Sequence, residues 1–135
     1  MRVAVALKVL WAAPCTALGV LPALLLCAAG ASVRRVGRAL EVGFDDERHR
    51  VARVLDTLPF CAITLGHLVL APTHAGHRLM RAHERVHVAQ YEAWGPLFPV
   101  LYMASSAWQV LRGRRPYIDN HFERQARAGA HVSGG

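Results

Sequence analysis

The stretch HERVH at residues 83–87 decides how this chain is interpreted. Positions four apart lie one above the other on an α-helix, so His83 and His87 can present two imidazole nitrogens to one tetrahedral metal ion. Glu84 then lies one position round the helix, beside the open coordination position, where a carboxylate can take a proton from a metal-activated water. The spacing therefore predicts a zinc (Zn2+) site with His83 and His87 as ligands and Glu84 as the general base.

A helix is predicted around this motif, over residues 77–94 (HRLMRAHERVHVAQYEAW). The run contains no proline or glycine, and the Gly-Pro pair at residues 95–96 ends it abruptly. Gln90 and Tyr91 continue the stripe of the two histidines and are candidates for hydrogen bonds near the metal. The alternative interpretation is an amphipathic helix whose histidines are solvated beside arginines.

A zinc site of this kind needs a third protein ligand. Glu92 follows His87 by five residues, about 140° further round the helix, so it faces away. Glu123, in the segment PYIDNHFERQA at residues 116–126, is the better candidate. The pair Asn120 and Glu123 also has the form of a helix N-cap with a reciprocating acid, which would leave the carboxylate on backbone amides instead. Two further residues are reserve candidates for the ligand: Asp119 and His121.

The segments HERVHVAQYE, WGPLF and RRPYIDNHFERQA, with a hydrophobic helix before the last, resemble a group of small bacterial zincin-like proteins. These are related in pattern to gluzincins, the metallopeptidases whose third ligand is a glutamate on a later helix. The resemblance covers residues 63–126 and implies His83, His87 and Glu123 as zinc ligands with Glu84 as general base. It implies hydrolysis of a peptide or protein substrate, and a protein that keeps the ligands without hydrolysis is the alternative. Tyr117 joins Tyr91 as a candidate for stabilising the oxyanion.

Two segments before the motif are predicted to form β-structure. Residues 60–70 (FCAITLGHLVL) are β-branched and aliphatic and predict a strand interrupted by Gly66. Residues 36–44 alternate weakly and are expected to pair with it. By the same resemblance, the strand preceding the active helix offers an edge to an extended substrate; a plain core strand is the alternative. His67 is expected to be a polar residue at the kink, and the charged residues 45–56 a loop with a short helix.

The N-terminal segment is predicted to be a membrane anchor. Residues 9–33 carry no charge, and their number exceeds the roughly 20 apolar residues that a spanning helix needs. Pro14 and Pro22 are tolerated more readily in a membrane helix than in a soluble one. A signal peptide cleaved after residues 29–31 competes, but the apolar run exceeds the usual h-region of about 7–15 residues. We therefore predict an uncleaved anchor over residues 1–35, with a signal peptide or a buried helix as the alternatives.

Basic residues flank both apolar segments. The arginines at positions 34, 35 and 38 follow the first, and the positive-inside rule then favours a cytoplasmic-facing domain at the bacterial inner membrane. Residues 97–111 are too short to span comfortably, so we expect a helix docked on the motif helix close to the membrane surface. A buried core helix is the alternative. The basic residues at 112–115 would face anionic headgroups.

Composition agrees with a small membrane-associated protein. The 135 residues have a formal net charge of +7, but no groove-reading motif or aromatic platform points to nucleic acid, and anionic lipid accounts for the charge more simply. The predicted fold class is α+β: a hydrophobic helix, a short β-hairpin or small sheet, the HExxH helix, an apolar helix and a short ligand-bearing helix. A zincin-like metal-binding domain is expected over residues 36–128, with a flexible tail over residues 129–135.

Overall fold

Five α-helices and one four-stranded sheet make up residues 2–133, the part of the chain that the computed structural model describes. The predicted α+β class is confirmed, with the apolar helix, the sheet, the motif helix and the ligand-bearing helix in the expected order. In chain order the elements are α1 (Arg2–Ala28), β1 (Ser32–Val36), β2 (Ala39–Phe44), α2 (Arg50–Leu55), β3 (Ile63–Leu65), β4 (Leu68–Thr73), α3 (His74–Trp94), a 3-10 turn (Gly95–Leu97), α4 (Phe98–Leu111) and α5 (His121–Ser133).

The sheet is mixed, with the strand order β1-β2-β4-β3. β1 and β2 form an antiparallel hairpin, β3 and β4 form another, and β2 runs parallel to β4. The single interrupted strand predicted over residues 60–70 is therefore two strands, because Gly66 adopts a φ of 62° and reverses the chain. β4, the strand directly before α3, lies inside the sheet, so the edge next to it belongs to β3, and β1 forms the opposite edge.

Helix α3 begins at His74, three residues earlier than predicted, because Thr73 caps it. The Thr73 hydroxyl accepts a hydrogen bond from the Gly76 amide at 3.1 Å. The helix ends at Gly95, whose φ of 53° favours glycine. Its buried face is unusually polar and includes five side chains that matter for the site: His83, Glu84, His87, Gln90 and Tyr91.

Helix α1 packs lengthwise against the sheet and α3. One stripe of small residues is buried, namely Ala12, Cys15, Gly19 and Ala23. The turn at Gly66 touches this helix so closely that a β-carbon there would lie 2.6 Å from the Thr16 amide nitrogen. By length and composition α1 is apolar enough to cross a membrane, as a signal sequence or an anchor also would be.

Helix α5 continues to Ser133, so residues 129–133 of the predicted flexible tail form its last turn. Ala126 of this helix is fully buried, and a β-carbon at Gly129 would lie 2.7 Å from a methyl group of Val86. This packing against α3 holds the end of the chain in a helical conformation. The last two residues of the predicted tail, 134–135, lie outside the described residues.

Candidate metal centre

His83, His87 and Glu123 converge, although 36 positions separate the last two in the chain. The His83 and His87 Nε2 atoms are 3.1 Å apart. Glu123 Oε2 lies 3.0 Å from His83 Nε2, and Glu123 Oε1 lies 3.3 Å from His87 Nε2. All three residues are buried, and their ligand atoms lie within 4.8 Å of one another. The group could therefore hold a metal ion.

The dimensions of this group fit a small tetrahedral cation. Zinc at 2.0–2.1 Å from each donor places adjacent donor atoms about 3.3 Å apart, close to the separations observed. Glu123 Oε2 is also buried without a hydrogen-bond partner, although it lies within ion-pair distance of His83. Native proteins rarely leave a buried carboxylate oxygen unsatisfied, so this atom is explained if a cation binds between the side chains.

Gln90 fixes the orientation of the His87 ring. Its Oε1 atom lies 2.8 Å from His87 Nδ1, and an amide oxygen can only accept, so Nδ1 carries the proton. The Nε2 lone pair then faces Glu123 and is free to bind a metal. The Gln90 amide nitrogen donates to the Phe122 carbonyl at 3.2 Å and to Gln125 Oε1 at 2.7 Å. One side chain thus joins the histidine of α3 to the helix that carries the carboxylate.

Asn120 and Tyr102 position Glu123. Asn120 caps α5 by itself, since its Oδ1 accepts from the Phe122 amide at 2.8 Å and its Nδ2 donates to the Tyr102 carbonyl at 3.0 Å. The Asn120 amide donates to the Tyr117 carbonyl, so Glu123 does not act as the reciprocating acid of a capping box. Instead, Glu123 Oε1 accepts a hydrogen bond from the Tyr102 hydroxyl at 2.7 Å.

Glu84 is held between the histidine pair and the sheet edge. Its side chain is only 6% exposed, and its Oε2 atom accepts a hydrogen bond from the Thr64 hydroxyl at 2.5 Å. Thr64 is the middle residue of β3, the outer strand. Within residues 2–133 the second carboxylate oxygen of Glu84 does not accept such a hydrogen bond, so it is available to accept a proton.

A cleft of about 680 Å³ opens beside the group and is lined by Glu84, His87 and Glu123. β3 forms one wall, and the first turns of α4 form another. The rest of the lining is mostly apolar and includes Pro59, Phe60, Ile63, Leu65, Phe98 and Met103. A metal-activated water at this site would therefore act next to a largely apolar binding surface.

The charges of the group reinforce one another. Burial alone raises the pKa of Glu123, but the close contacts with His83 and His87 and the hydrogen bond from Tyr102 outweigh burial and hold this pKa well below its usual range. Burial alone lowers the pKa of His87, but Glu123, the charge of Glu84 and the contact with Gln90 raise it above its ordinary value. Without a metal, the carboxylate of Glu123 therefore favours a protonated His87.

The two other predicted auxiliary residues lie in the cleft wall. Tyr91 is buried and packs edge-to-face against Phe98, with ring centroids 4.6 Å apart, and burial raises its pKa. Tyr117 is half-exposed, and partial burial together with the charges of Glu123 and Glu84 raises its pKa to about 12. Tyr117 thus faces the same cleft. Within residues 2–133 its hydroxyl makes no hydrogen bond with His83, His87 or Glu123.

The remaining candidates lie elsewhere. Glu92 faces away from the motif, as predicted, and accepts hydrogen bonds from Arg38 at 2.6 and 2.8 Å. His67 lies 3.1 Å from the same carboxylate and is not part of the ligand group. Asp119, a reserve candidate, pairs with Arg115. The other reserve, His121, is exposed to solvent at the start of α5.

Sequence reasoning missed Thr64 and Tyr102. Thr64 lies in a strand that the sequence predicted, but nothing in the strand pattern indicates which side chain reaches Glu84. Tyr102 lies in the apolar segment at residues 97–111, and nothing in the pattern of that segment indicates that its hydroxyl donates a hydrogen bond to Glu123. Comparisons of the chain with protein-family models, curated proteins and solved structures find no match.

Proposed function

We propose that this protein is a membrane-associated, zinc-dependent peptidase of the gluzincin type. The observation that carries the proposal is the position of Glu84, a buried carboxylate beside a buried His-His-Glu group and a sheet edge, with Glu84, His87 and Glu123 lining one cleft. Two imidazoles and one carboxylate are a ligand set of catalytic zinc sites, which keep a further position open. The distances between the donor atoms support zinc as the metal.

Each residue of the group has a distinct role in the proposed reaction. Zinc, when bound, supplies an acidified water and polarises the carbonyl of the scissile bond. Glu84 accepts the proton of the attacking water and later passes it to the leaving amine. Thr64 holds one oxygen of Glu84, so that the other faces the reacting water. Tyr102 and Gln90 keep Glu123 and His87 in place as ligands.

The outer strand β3 supports a peptide as the substrate. Among residues 2–133, β3 pairs in the sheet with β4 alone, so within this part of the chain one row of its backbone N–H and C=O groups is left without a strand partner beside the cleft. An extended peptide can add to such an edge as a further strand. Thr64 lies in the middle of this strand, which would bring the bound backbone next to Glu84.

A non-catalytic zinc-binding protein is the second candidate, and one observation favours it. The candidate ligands come from α3 and α5, and Gln90 joins the same two helices by hydrogen bonds. A bound metal would therefore cross-link helix α5 to the rest of the domain. Metal binding of this kind contributes directly to folding free energy in small domains. The two candidates agree on zinc and differ on hydrolysis.

Zinc content and the Glu84→Gln variant test the proposal. Purified full-length protein is expected to carry about one zinc per chain, and Glu84→Gln is expected to keep it. Hydrolysis of substrates found by peptide profiling should fall at least about 100-fold in Glu84→Gln. The exposed Glu47 offers a matched control, since Glu47→Gln should change neither property.

Three outcomes would count against the proposal. Less than about a tenth of an equivalent of zinc in the wild-type protein would remove the metal centre. Full turnover by Glu84→Gln would remove Glu84 as the base. A zinc-loaded wild-type protein that cleaves no peptide, but loses thermal stability when zinc is removed, would favour the non-catalytic candidate.

A further inference from the structure

Only part of α1 is free to enter a bilayer while the domain is folded as observed. Its buried residues Ala12, Cys15, Gly19 and Ala23 recur at intervals of three or four and form the stripe that contacts the rest of the protein. Ala12 and Cys15 belong to an apolar cluster with residues of α3, α4 and α5. From residue 12 onward, α1 is therefore an integral part of the domain.

The undocked part is too short to cross a membrane. Residues 2–11 are all exposed, and ten helical residues extend about 15 Å at 1.5 Å per residue. The hydrocarbon core of a bilayer is about 30 Å thick. The free segment thus reaches through about one leaflet, and a complete crossing would pull the docked half of α1, with everything packed on it, into hydrocarbon.

The surroundings of the docked half do not suit hydrocarbon. Arg35 and Arg38 line one groove together with Ala13 and Ala17 of α1. β3, which also contacts α1, is an outer strand with unpaired backbone groups. A bilayer core offers these groups no hydrogen-bond partners, and arginine side chains are costly there. The fold and a spanning position of α1 are therefore incompatible.

The outward face of α1 nevertheless suits a membrane surface. Six leucines along it are between 61% and 68% exposed: Leu7, Leu10, Leu18, Leu21, Leu24 and Leu25. Trp11 and Trp94 are each 47% exposed, and the Trp11 ring lies against Gly95, the residue after Trp94. Tryptophan is enriched at the interface between lipid and water. This combination points to a bilayer rather than to bulk water.

The charges next to these apolar surfaces favour an anionic bilayer over a second copy of the chain. α1 carries Arg2 and Lys8 and no acidic residue. α4 starts at the turn that contacts α1, leaves Trp108 exposed, and is followed by an exposed basic cluster at residues 112–115. Two like-charged copies would repel each other, whereas anionic headgroups attract the same residues.

We propose that α1 is a monotopic anchor, which holds the folded domain on one side of an anionic bilayer with its leucine face in one leaflet. The chain does not cross the bilayer, so its two ends lie in the same compartment. This inference depends on the packing of α1, on its exposed apolar face and on the nearby basic residues, and on neither zinc nor hydrolysis.

The topology is tested on the full-length wild-type chain in a bacterial membrane. Reporters that work only in the cytoplasm or only in the periplasm are fused to either end, in separate experiments. Both ends are expected to report the same side, and the intact mass should include α1. Ends on opposite sides of the membrane would overturn the proposal, as would a mature chain from which α1 has been cleaved.

Vesicle binding tests the surface itself. Full-length protein should float with phosphatidylglycerol-containing vesicles more than with phosphatidylcholine vesicles. Leu21→Glu should lower the bound fraction about tenfold, the loss expected when an apolar contact is replaced by a charge. Val54→Glu on α2 changes an equally exposed apolar residue, 66% in both cases, and should bind as the wild type does.

Two results of the vesicle experiment would overturn the proposal. The first is equal binding of the wild type and Leu21→Glu in samples with matching circular dichroism. The second is a wild-type dimer that Leu21→Glu dissociates while vesicle binding stays unchanged, since a second copy would then cover the leucine face. If Leu21→Glu does not fold, the proposal is still tested by the binding of the wild-type protein to the two kinds of vesicle and by the reporter fusions.

Discussion

Replacing Gln90 by leucine should weaken zinc binding without removing a ligand. The Gln90 side chain accepts a hydrogen bond from His87 Nδ1–H and donates hydrogen bonds to the Phe122 carbonyl and to Gln125. Leucine has a similar volume but makes none of these bonds, so the His87 Nδ1–H is left buried without an acceptor. Leaving a buried donor unsatisfied costs about 1–3 kcal/mol.

The same magnitude follows from the behaviour of other zinc sites. Loss of the group that orients a ligating histidine lowers metal affinity about 10- to 100-fold, which corresponds to about 1.4–2.7 kcal/mol. We therefore expect the zinc dissociation constant of Gln90→Leu to rise 10- to 100-fold, as measured by competition with a fluorescent chelator near pH 7.5.

Gln109 offers a matched control. It is also a buried glutamine on a helix, but its Oε1 has no hydrogen-bond partner and it does not line the cleft. Gln109→Leu should leave the zinc dissociation constant unchanged. If Gln90→Leu folds and binds zinc within about twofold of the wild type, the orienting role of Gln90 is wrong. An equal loss in Gln109→Leu would show a general packing effect instead.

Three further predictions concern the same group. The raised pKa of His87 adds stability to the metal-free fold; this stability is fully present below about pH 6.5 and is lost as the pH rises through the raised value. Zinc binding needs a neutral His87, so zinc should reverse this trend. The melting temperature measured with EDTA should therefore fall between pH 6 and 8, whereas the melting temperature measured with zinc should rise. The lowered pKa of Glu123 adds stability that is fully present above about pH 5 and is lost progressively as the pH falls from there towards the lowered value, so it does not affect this window. Thr64→Val should lower kcat about tenfold, with KM and zinc content unchanged, because Glu84 loses its orienting hydrogen bond; an altered zinc content would contradict this. Tyr102→Phe should weaken zinc binding by about 1.5 kcal/mol, the value of one hydrogen bond to a charged group, and an unchanged chelator titration would show that Glu123 needs no such support.

Local periodicity made part of this structure predictable. Residues four apart share a helix face whatever surrounds the helix, so the stacking of His83 and His87 follows from spacing alone. The apolar runs that became α1 and α4 were recognisable for the same local reason. The position of Glu92 on the opposite face followed from helix geometry, and its ion pair with Arg38 agrees.

Other features depended on contacts between distant parts of the chain. The sequence indicated that Gly66 interrupts a strand. Its φ of 62° and its contact with α1 turn the expected single strand into a hairpin. This hairpin makes β3 an edge strand of the sheet. The tail beyond residue 129 has the composition of a disordered end, but Gly129 lies close enough to Val86 for helix α5 to pack on α3. Such contacts leave no periodic signal in the residues that make them.

The amino-acid sequence by itself determined the histidine pair, the carboxylate of Glu84 beside it and the apolar character of the first helix, because each is a property of neighbouring residues on one helix. Only the tertiary structure decided whether the Glu123 carboxylate caps the backbone amides of its own helix or contacts the two histidines. Asn120 caps α5 alone, and the packing of α5 on α3 then brings the freed carboxylate within 3.3 Å of both imidazoles. Chain packing, which local spacing does not encode, also decided that most of α1 is bound to the domain.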